Sequence, residues 1–375
     1  MKSILFIFII LLFLGGNFYV FYRMWQAMPP SLIGRIVLIA IAAITLASLI
    51  LIFAVGNSLP IGLAGVLYKI GTSWVFILLY FVIVLLVKDL IALANRFLHF
   101  MPSDALSRYT VDNWVGLGFM VGFIALLMVC GYLKYTWKVR VEQPIAIEKP
   151  IGDRDSLTIV GISDLHLGYG IGADELQQWI RLINEENPDV VLIAGDMIDN
   201  STRPLNERHV NEYFKDIKAP VYMCLGNHEY ISGIESSLKF IDKTGVTLLR
   251  DSVALVDSTF YIVGRDDKMN PRRQSLSELT ATLDKSKPII LLDHQPYDLE
   301  ESELCGIDFQ LSGHTHQGQV WPISMITKAI YEDDHGYIKK GNTNIYVSSG
   351  IGIWGGKFRI GTQSEYVVVK IKKKG

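Results

Sequence analysis

Eight polar residues follow short apolar runs along the second half of the chain. They are Asp164 and His166 in SDLHLG, Asp196 in GDMID, Asn227 and His228 in GNHEY, His294 in DHQP, and His314 and His316 in SGHTH. Carboxylate, imidazole and amide together suit a borderline divalent ion such as Mn, Fe or Zn, whereas calcium prefers an all-oxygen shell. Asp164, His166, Asp196, Asn227, His294, His314 and His316 are too many ligands for one ion, and enough for two ions that share a carboxylate. Two such ions side by side can activate a water and clamp a phosphoryl group during in-line displacement. The spacing of Asp164 to His166, repeated at His314 to His316, points alternate side chains the same way if the segment is extended. Gly195, Gly226 and Gly313 stand beside these residues, where the backbone must come close to the site.

The elements that must position these residues can be read from periodicity. LTIVGIS, DVVLIAG, APVYMCLG, PIILLD and GIDFQLSG are β-rich runs, each ending at one of the polar clusters. Side chains that follow strand ends gather at the carboxyl edge of a sheet, where ligands of α/β folds bind. Between these runs, ADELQQWIRLINEEN sets Leu176, Ile180 and Ile183 on one helical face, with Asp174 and Glu175 in its first turn. NERHVNEYFKDI, IESSLKFIDKTG and LSELTATLDKS also read as helices. Alternating strands and helices predict α/β layering, and the late run of strands predicts a second sheet.

The set closely resembles the calcineurin-like metallophosphoesterase family, whose pattern is D-x-H, G-D, G-N-H-[DE], a lone His and G-H-x-H. All five elements occur in order, as Asp164-Leu165-His166, Gly195-Asp196, Gly226-Asn227-His228-Glu229, His294 and Gly313-His314-Thr315-His316. With its apolar N-terminal half, the chain is similar to the membrane-anchored, YkuE-like branch. The resemblance covers about 157–372 and implies a two-sheet β-sandwich flanked by helices. It implies one metal on Asp164, His166, Asp196 and His316, and a second on Asp196, Asn227, His294 and His314, with Asp196 bridging. Asn227 and His228 would be catalytic, His228 protonating or stabilising the leaving oxygen.

The first half has a different character. Apolar residues make up 50% of the 375-residue chain and are concentrated before residue 136. A membrane span takes roughly 20 apolar residues, and about four segments qualify: 3–22, 33–55, 73–87 with its flanks, and 113–133. The third closes early at Lys88 and Asp89, and KDLIALANRFLHFM reads as an amphipathic helix, lying in the membrane interface or packed over the other spans. The expected organisation is a transmembrane helical bundle at 1–136, a linker at 137–156 in which WKVRVEQPIAIE alternates like a strand, and the metallophosphoesterase domain at 157–375. Lys2, Lys69, Lys134, Lys138 and Arg140 fall on one side of the membrane, and Arg23, Arg35, Lys88, Arg96 and Arg108 on the other. The short start Met1-Lys2 tips this balance towards a cytoplasmic catalytic domain. A net charge of −2 excludes a global basic field for nucleic acid, and three cysteines make no disulfide framework.

The expected activity is hydrolysis of phosphomonoester, phosphodiester or pyrophosphate bonds by an enzyme using two divalent ions. Its location points to a lipid-linked substrate, such as the UDP-diacylglucosamine-type precursor that some relatives cleave, and to contact with membrane lipids. A signalling or scaffold protein that binds phosphorylated partners through its metals is the alternative. Asp199 is expected to cap a turn rather than join the site, and Glu229 and Asp293, which flank ligands, could orient histidines. Asp266-Asp267 is expected in a turn and His209 and His335 in solvent, and Arg359, in a Gly-rich loop, could approach an anionic substrate. Lys370, Lys372, Lys373 and Lys374 read as a basic tail that anionic headgroups could attract.

Overall fold

The computed structural model describes residues 2–102 and 113–374. Arg108, one of the charges counted above, and the side chain of Lys2 lie outside what it describes. The chain divides into two compact units, Met1–Tyr132 and Leu133–Gly375.

In the first unit four helices are long and apolar enough to cross a membrane. They are α1 (Lys2–Ala27), α2 (Leu32–Val55), α3 (Ile61–Leu98) and α4 (Trp114–Thr136), the last running on into the second unit. The expected short third span and separate interfacial helix are one continuous helix, α3. Asp89 does not stop it, because its carboxylate is matched from α1: Arg23 Nη1 lies 2.8 and 2.6 Å from its two oxygens, and the Tyr19 hydroxyl donates to it at 2.6 Å. The helix ends instead at His99, whose φ of 49° and ψ of 35° are left-handed. Also between α1 and α3, the Trp74 indole donates to Asn17 Oδ1 at 2.9 Å.

The second unit stacks two six-stranded sheets. The first has the order β1 (Lys138–Ile147), β12 (Ser364–Lys373), β2 (Leu157–Ile162), β3 (Val190–Ala194), β4 (Val221–Cys224), β5 (Thr247–Leu248). The second runs β10 (Gly336–Lys340), β11 (Thr343–Val347), β9 (Phe309–Ser312), β8 (Ile289–Leu292), β7 (Phe260–Gly264), β6 (Ser252–Val256). β2, β3 and β4 are mutually parallel, as are β7, β8, β9 and β11. Alternation assigns the faces. Along β3, Val190, Leu192 and Ala194 enter the core between the sheets with Phe260, Ile290, Phe309 and Leu311. Val191 and Ile193 face outwards, under Trp179 and Ile180 of the helix Ala173–Glu185 and Phe240 of the helix Ile234–Asp242. Both faces of β3 are covered, so all five of its residues are buried.

Two expectations change. The segment 137–156 is not only a linker: ten of its residues form β1, which pairs in parallel with β12 from Lys138↔Ser364 to Ile147↔Lys373. The alternation in WKVRVEQPIAIE records that one-sided burial. The basic residues at the end are likewise not a loose tail. Lys370, Lys372 and Lys373 belong to β12 and Lys374 follows it, and Lys370 and Lys374 pair with Glu142 and Glu148.

The bundle offers a direct test of its packing. A Cβ added at Gly71 of α3 would lie 2.8 Å from the Leu49 amide nitrogen of α2, whereas nothing lies within 4 Å of one at Gly62. Gly71→Leu should force α2 and α3 apart and destabilise the bundle by about 1–3 kcal/mol. Gly62→Leu should be neutral. Thermal unfolding of both full-length variants in detergent checks this.

Candidate metal centre

All of the polar residues singled out above sit at the carboxyl ends of parallel strands. Asp164 and His166 follow β2, Asp196 follows β3, Asn227 and His228 follow β4, His294 follows β8, and His314 and His316 follow β9. Within each sheet, neighbouring loops lock together at this edge. Asp164 N donates to Gly195 O at 3.1 Å, His166 N to Asp196 O at 3.0 Å, and Gly313 N to His294 O at 2.9 Å.

The convergence does not arise from an extended D-x-H segment. Asp164 (φ 54°), His166 (47°), Asp196 (53°), His314 (71°) and His316 (50°) all occupy the left-handed region. For residues with a Cβ this costs of order 1–3 kcal/mol each and persists only where the surroundings over-determine it. The left-handed turns aim Asp164 and His166 at one point while Leu165, between them, is buried, and they send His316 to that same group and His314 to a second one. Gly195 (φ 77°) leaves room for a ligand, since a Cβ there would lie 2.6 Å from His294 Nδ1. Gly226 does the same beside the carboxylate of Asp196.

The side chains meet in two groups that share Asp196. In the first, His166 Nε2 and His316 Nε2 are 3.0 Å apart, and His316 Nε2 is 3.4 Å from Asp164 Oδ1. In the second, His294 Nε2 lies 3.1 Å from Asp196 Oδ2 and 3.2 Å from Asn227 Oδ1, and His314 Nδ1 is 2.8 Å from that same amide oxygen. Asp196 Oδ2 is also 3.7 Å from His166 Nε2, so one oxygen faces both groups. The ligand atoms of Asp164, His166 and His316 fall within 4.8 Å of one another, as do those of Asp196, His294 and His314.

This arrangement fits bound cations. His294 Nδ1 is committed to the Ala194 carbonyl at 2.7 Å, which turns the Nε2 lone pair of the neutral ring towards two oxygen acceptors. The Nε2 atoms of His166 and His316 likewise confront each other. Lone pairs that converge in a dry site need positive charge between them. The titration behaviour says the same. Burial opposes charge on His294, but the adjacent Asp196 carboxylate prevails and raises its pKa well above the usual value. Burial opposes charge on Asp196 as well, yet the imidazoles of His294 and His228 hold it well below the usual carboxylate range. Burial and the neighbouring imidazoles drive His314 down to about 3.

His228 differs from the rest. Its ring keeps 21% of its surface exposed, against 1%, 0% and 4% for His166, His294 and His316. Its Nδ1–H donates to the Asp199 carbonyl at 2.7 Å, leaving Nε2 free to face a ligand. The Asp199 carboxylate lies 3.6 Å from His228 Nδ1 and 3.4 Å from His166 Nδ1. Asp199 is therefore more than a turn cap: its carbonyl fixes the ring of His228, and its carboxylate lies beside that of His166. Its spacing after Asp196 was the available signal. Tyr331, whose ring centre is 6.2 Å from that of His314, carried no sequence signal.

Several expected neighbours play other parts. Glu229 orients no histidine; its buried carboxylate accepts the amides of Asp196 (3.1 Å), Ile198 (3.0 Å) and Gly226 (2.7 Å). Burial pushes its pKa up to about 7. Asp293 pairs with Arg265 at 3.0 Å and Arg273 at 3.4 Å. Arg359 does not face a substrate. It is 1% exposed and donates to the carbonyls of His316, Ser349, Gly350 and Gly352. Asp266 and Asp267 cap the turn they occupy, with Asp267 N and Met269 N donating to them. His209 is exposed, but His335 is not free in solvent: its Nε2 pairs with the buried Glu365 at 3.0 Å.

Glu229→Ala would strand buried amide groups on the two loops that carry Asp196 and Asn227. At about 1–3 kcal/mol for an unsatisfied buried donor, it should lower thermal stability clearly, and Glu229→Gln should lower it less. Melting of the full-length variants in detergent reads the difference.

The calcineurin-like phosphoesterase family model matches residues 157–318, from β2 to the G-H-x-H turn. An uncharacterized metallophosphoesterase of Helicobacter pylori is 33% identical over 284 residues, covering 71% of this chain and 73% of the relative. The uncharacterized metallophosphoesterase YkuE of Bacillus subtilis is 32% identical, over 58% of this chain and 80% of its own length. A transmembrane protein with metallophosphoesterase domain from Danio rerio is 30% identical, over 62% and 57%. With its strand-end motifs, two stacked sheets and four apolar helices, this chain belongs to the calcineurin-like metallophosphoesterases.

Proposed function

We propose that the protein is a membrane-anchored phosphohydrolase working with two divalent cations of the Mn, Fe or Zn type. The observation that carries this is the position of Asp196 Oδ2 between the two groups, 3.7 Å from His166 Nε2 and 3.1 Å from His294 Nε2. Asp164, His166, Asp196 and His316 would hold one ion, and Asp196, Asn227, His294 and His314 the other. Bound there, the ions supply Lewis acidity towards the phosphoryl group and its attacking water. The chain's own contribution is orientation and proton transfer. His294 is fixed by the Ala194 carbonyl and His228 by Asp199, so their remaining nitrogens point inwards without rearrangement. Burial opposes a charged His228, but Asp196 and Asp199 raise its pKa, which keeps a proton available for the leaving oxygen.

The substrate we propose is a phosphodiester or pyrophosphate carried on a lipid, of the UDP-diacylglucosamine type. Its support is the four apolar helices in the same chain. The basic cluster of Lys134, in the last turn of the fourth apolar helix, and Lys138 and Arg140 just after it supports a cytoplasmic catalytic unit. An impermeant maleimide should then label Ser277→Cys in inverted vesicles but not in intact cells.

Detergent-purified full-length protein with Mn, offered monoesters, diesters and lipid pyrophosphates, tests the activity. Turnover is expected on at least one class, with lipid-linked esters preferred. Failure on all of them with metal bound would sink the hydrolase reading, and equal turnover of soluble and lipid-embedded diesters would sink the lipid preference. His228→Ala should lower kcat by about 10²–10⁴-fold with the metal content retained. Asp196→Asn should lose metal as measured by elemental analysis.

A further inference from the structure

The helix Ile323–Ile330 begins seven residues after His316 and ends at Tyr331, which abuts His314. It is therefore one wall of the metal centre. Its amphipathicity is inverted. The polar residues Ser324 and Thr327 turn towards the body of the protein. Thr327 Oγ1 donates to Asp334 Oδ2 at 2.8 Å, and the Asp334 carbonyl accepts Thr315 Oγ1, between His314 and His316, at 2.6 Å. Gly318 packs on the Ser324 backbone so closely that a Cβ would not fit. The outward face is Met325, Ile326 and Ile330, with 62%, 55% and 61% of their surfaces exposed, and Trp321 precedes it at 48%. No residue of the helix is buried.

A water-facing helix of a globular unit places its side chains the other way round. Leaving Met or Ile side chains in water forgoes about 1.5–3 kcal/mol each, so an apolar medium is implied over this face. Two features identify the medium. The same chain carries four helices long and apolar enough to cross a bilayer, which would tether this unit to a lipid surface. The outward face also carries Lys328 among its apolar residues and Trp321 at its border. A cation on a long apolar stem and a tryptophan at the rim are the residues of a helix lying among lipid headgroups and upper acyl chains.

We propose that the helix Ile323–Ile330, with Trp321, is a lipid-docking element of the catalytic unit. It seats on the bilayer surface and brings the metal centre beside phosphate groups carried by membrane lipids. The docking stands on this helix and the four apolar ones; only its purpose rests on the phosphohydrolase reading.

The test uses full-length protein in nanodiscs of phosphatidylethanolamine and phosphatidylglycerol. Cys130 and Cys305 are replaced by serine, the buried Cys224 is kept, and an environment-sensitive fluorophore is attached at Ile326→Cys or at the exposed Ser277→Cys. Ile330→Cys repeats the reading should Ile326→Cys fail to fold. With doxyl-labelled lipid in the disc, emission from position 326 should be largely lost and emission from position 277 retained. Equal emission at both positions overturns the proposal. So does a blue-shifted signal at 326 that doxyl lipid does not quench, because a protein surface would then cover the helix. Hydrolysis of bis(4-nitrophenyl) phosphate by the same labelled protein reports the hydrolase reading separately. Quenching without hydrolysis leaves the docking standing and counts against that reading, and hydrolysis without quenching does the reverse.

Discussion

Two carboxylates, Asp164 and Asp196, are buried at 0% and 1% exposure at the seam of two sheets, and the rest of the catalytic unit is arranged around that fact. A buried anion is tolerated only with hydrogen bonds and positive charge around it. The backbone supplies the hydrogen bonds: His314 N donates to Asp164, and His228 N donates to Asp196 Oδ1 at 2.8 Å. The imidazoles that face the carboxylates supply a place for positive charge, as protons or as metal ions. This explains why five residues accept left-handed backbones. Their strain is offset by everything that the converging loops satisfy together, and a relaxed turn would aim those groups elsewhere.

The strand ends and their motifs were legible because both follow from short-range rules. Runs such as DVVLIAG must be buried strands, and whatever follows a parallel strand must emerge at one edge. The ligand candidates were visible as residue types. The way Asp164 and His166 converge was not, because sequence spacing does not distinguish an extended segment from a left-handed turn. Glu229, Asp293 and Arg359 were open candidates for the site for a common reason. Each is charged and close in sequence or composition to the site, yet each is consumed by a buried partner set that spacing does not reveal. β1 was half legible: its alternation was plain, but its partner lies more than two hundred residues away. Asp89 looked like the end of a span because its match, Arg23, is on another helix.

The family match ends at residue 318, but the centre is not complete there. Gly350 packs on Asp164, where a Cβ would approach Asp164 Cβ to 2.9 Å, and Ile351 N donates to Ser163 O at 3.1 Å. Arg359 then ties this glycine-rich loop to the His316 carbonyl at 2.7 Å. The guanidinium is wholly enclosed, and burial pulls its pKa down to about 10, still protonated at neutral pH. A buried cation behind the ligands complements the carboxylates in front of it. The C-terminal strands thus form the rear wall of the site as well as closing the first sheet.

The same wall is braced from the start of this unit, which begins at Leu133. Tyr135 is 1% exposed; its hydroxyl donates to Glu175 Oε1 at 2.7 Å, and Lys138 Nζ sits 3.6 Å from its ring centre. The other oxygen of Glu175 accepts Lys357 Nζ at 2.6 Å, and Lys357 is two residues from Arg359 in the same glycine-rich loop. Burial drives the pKa of Lys138 well below its usual value. Tyr135, Lys138, Glu175 and Lys357 thus form one cluster at the base of the glycine-rich loop that packs behind Asp164 and is tied to the His316 carbonyl by Arg359. The backing of the metal centre therefore draws on both ends of this unit, on Tyr135 near its start and on the loop before β12.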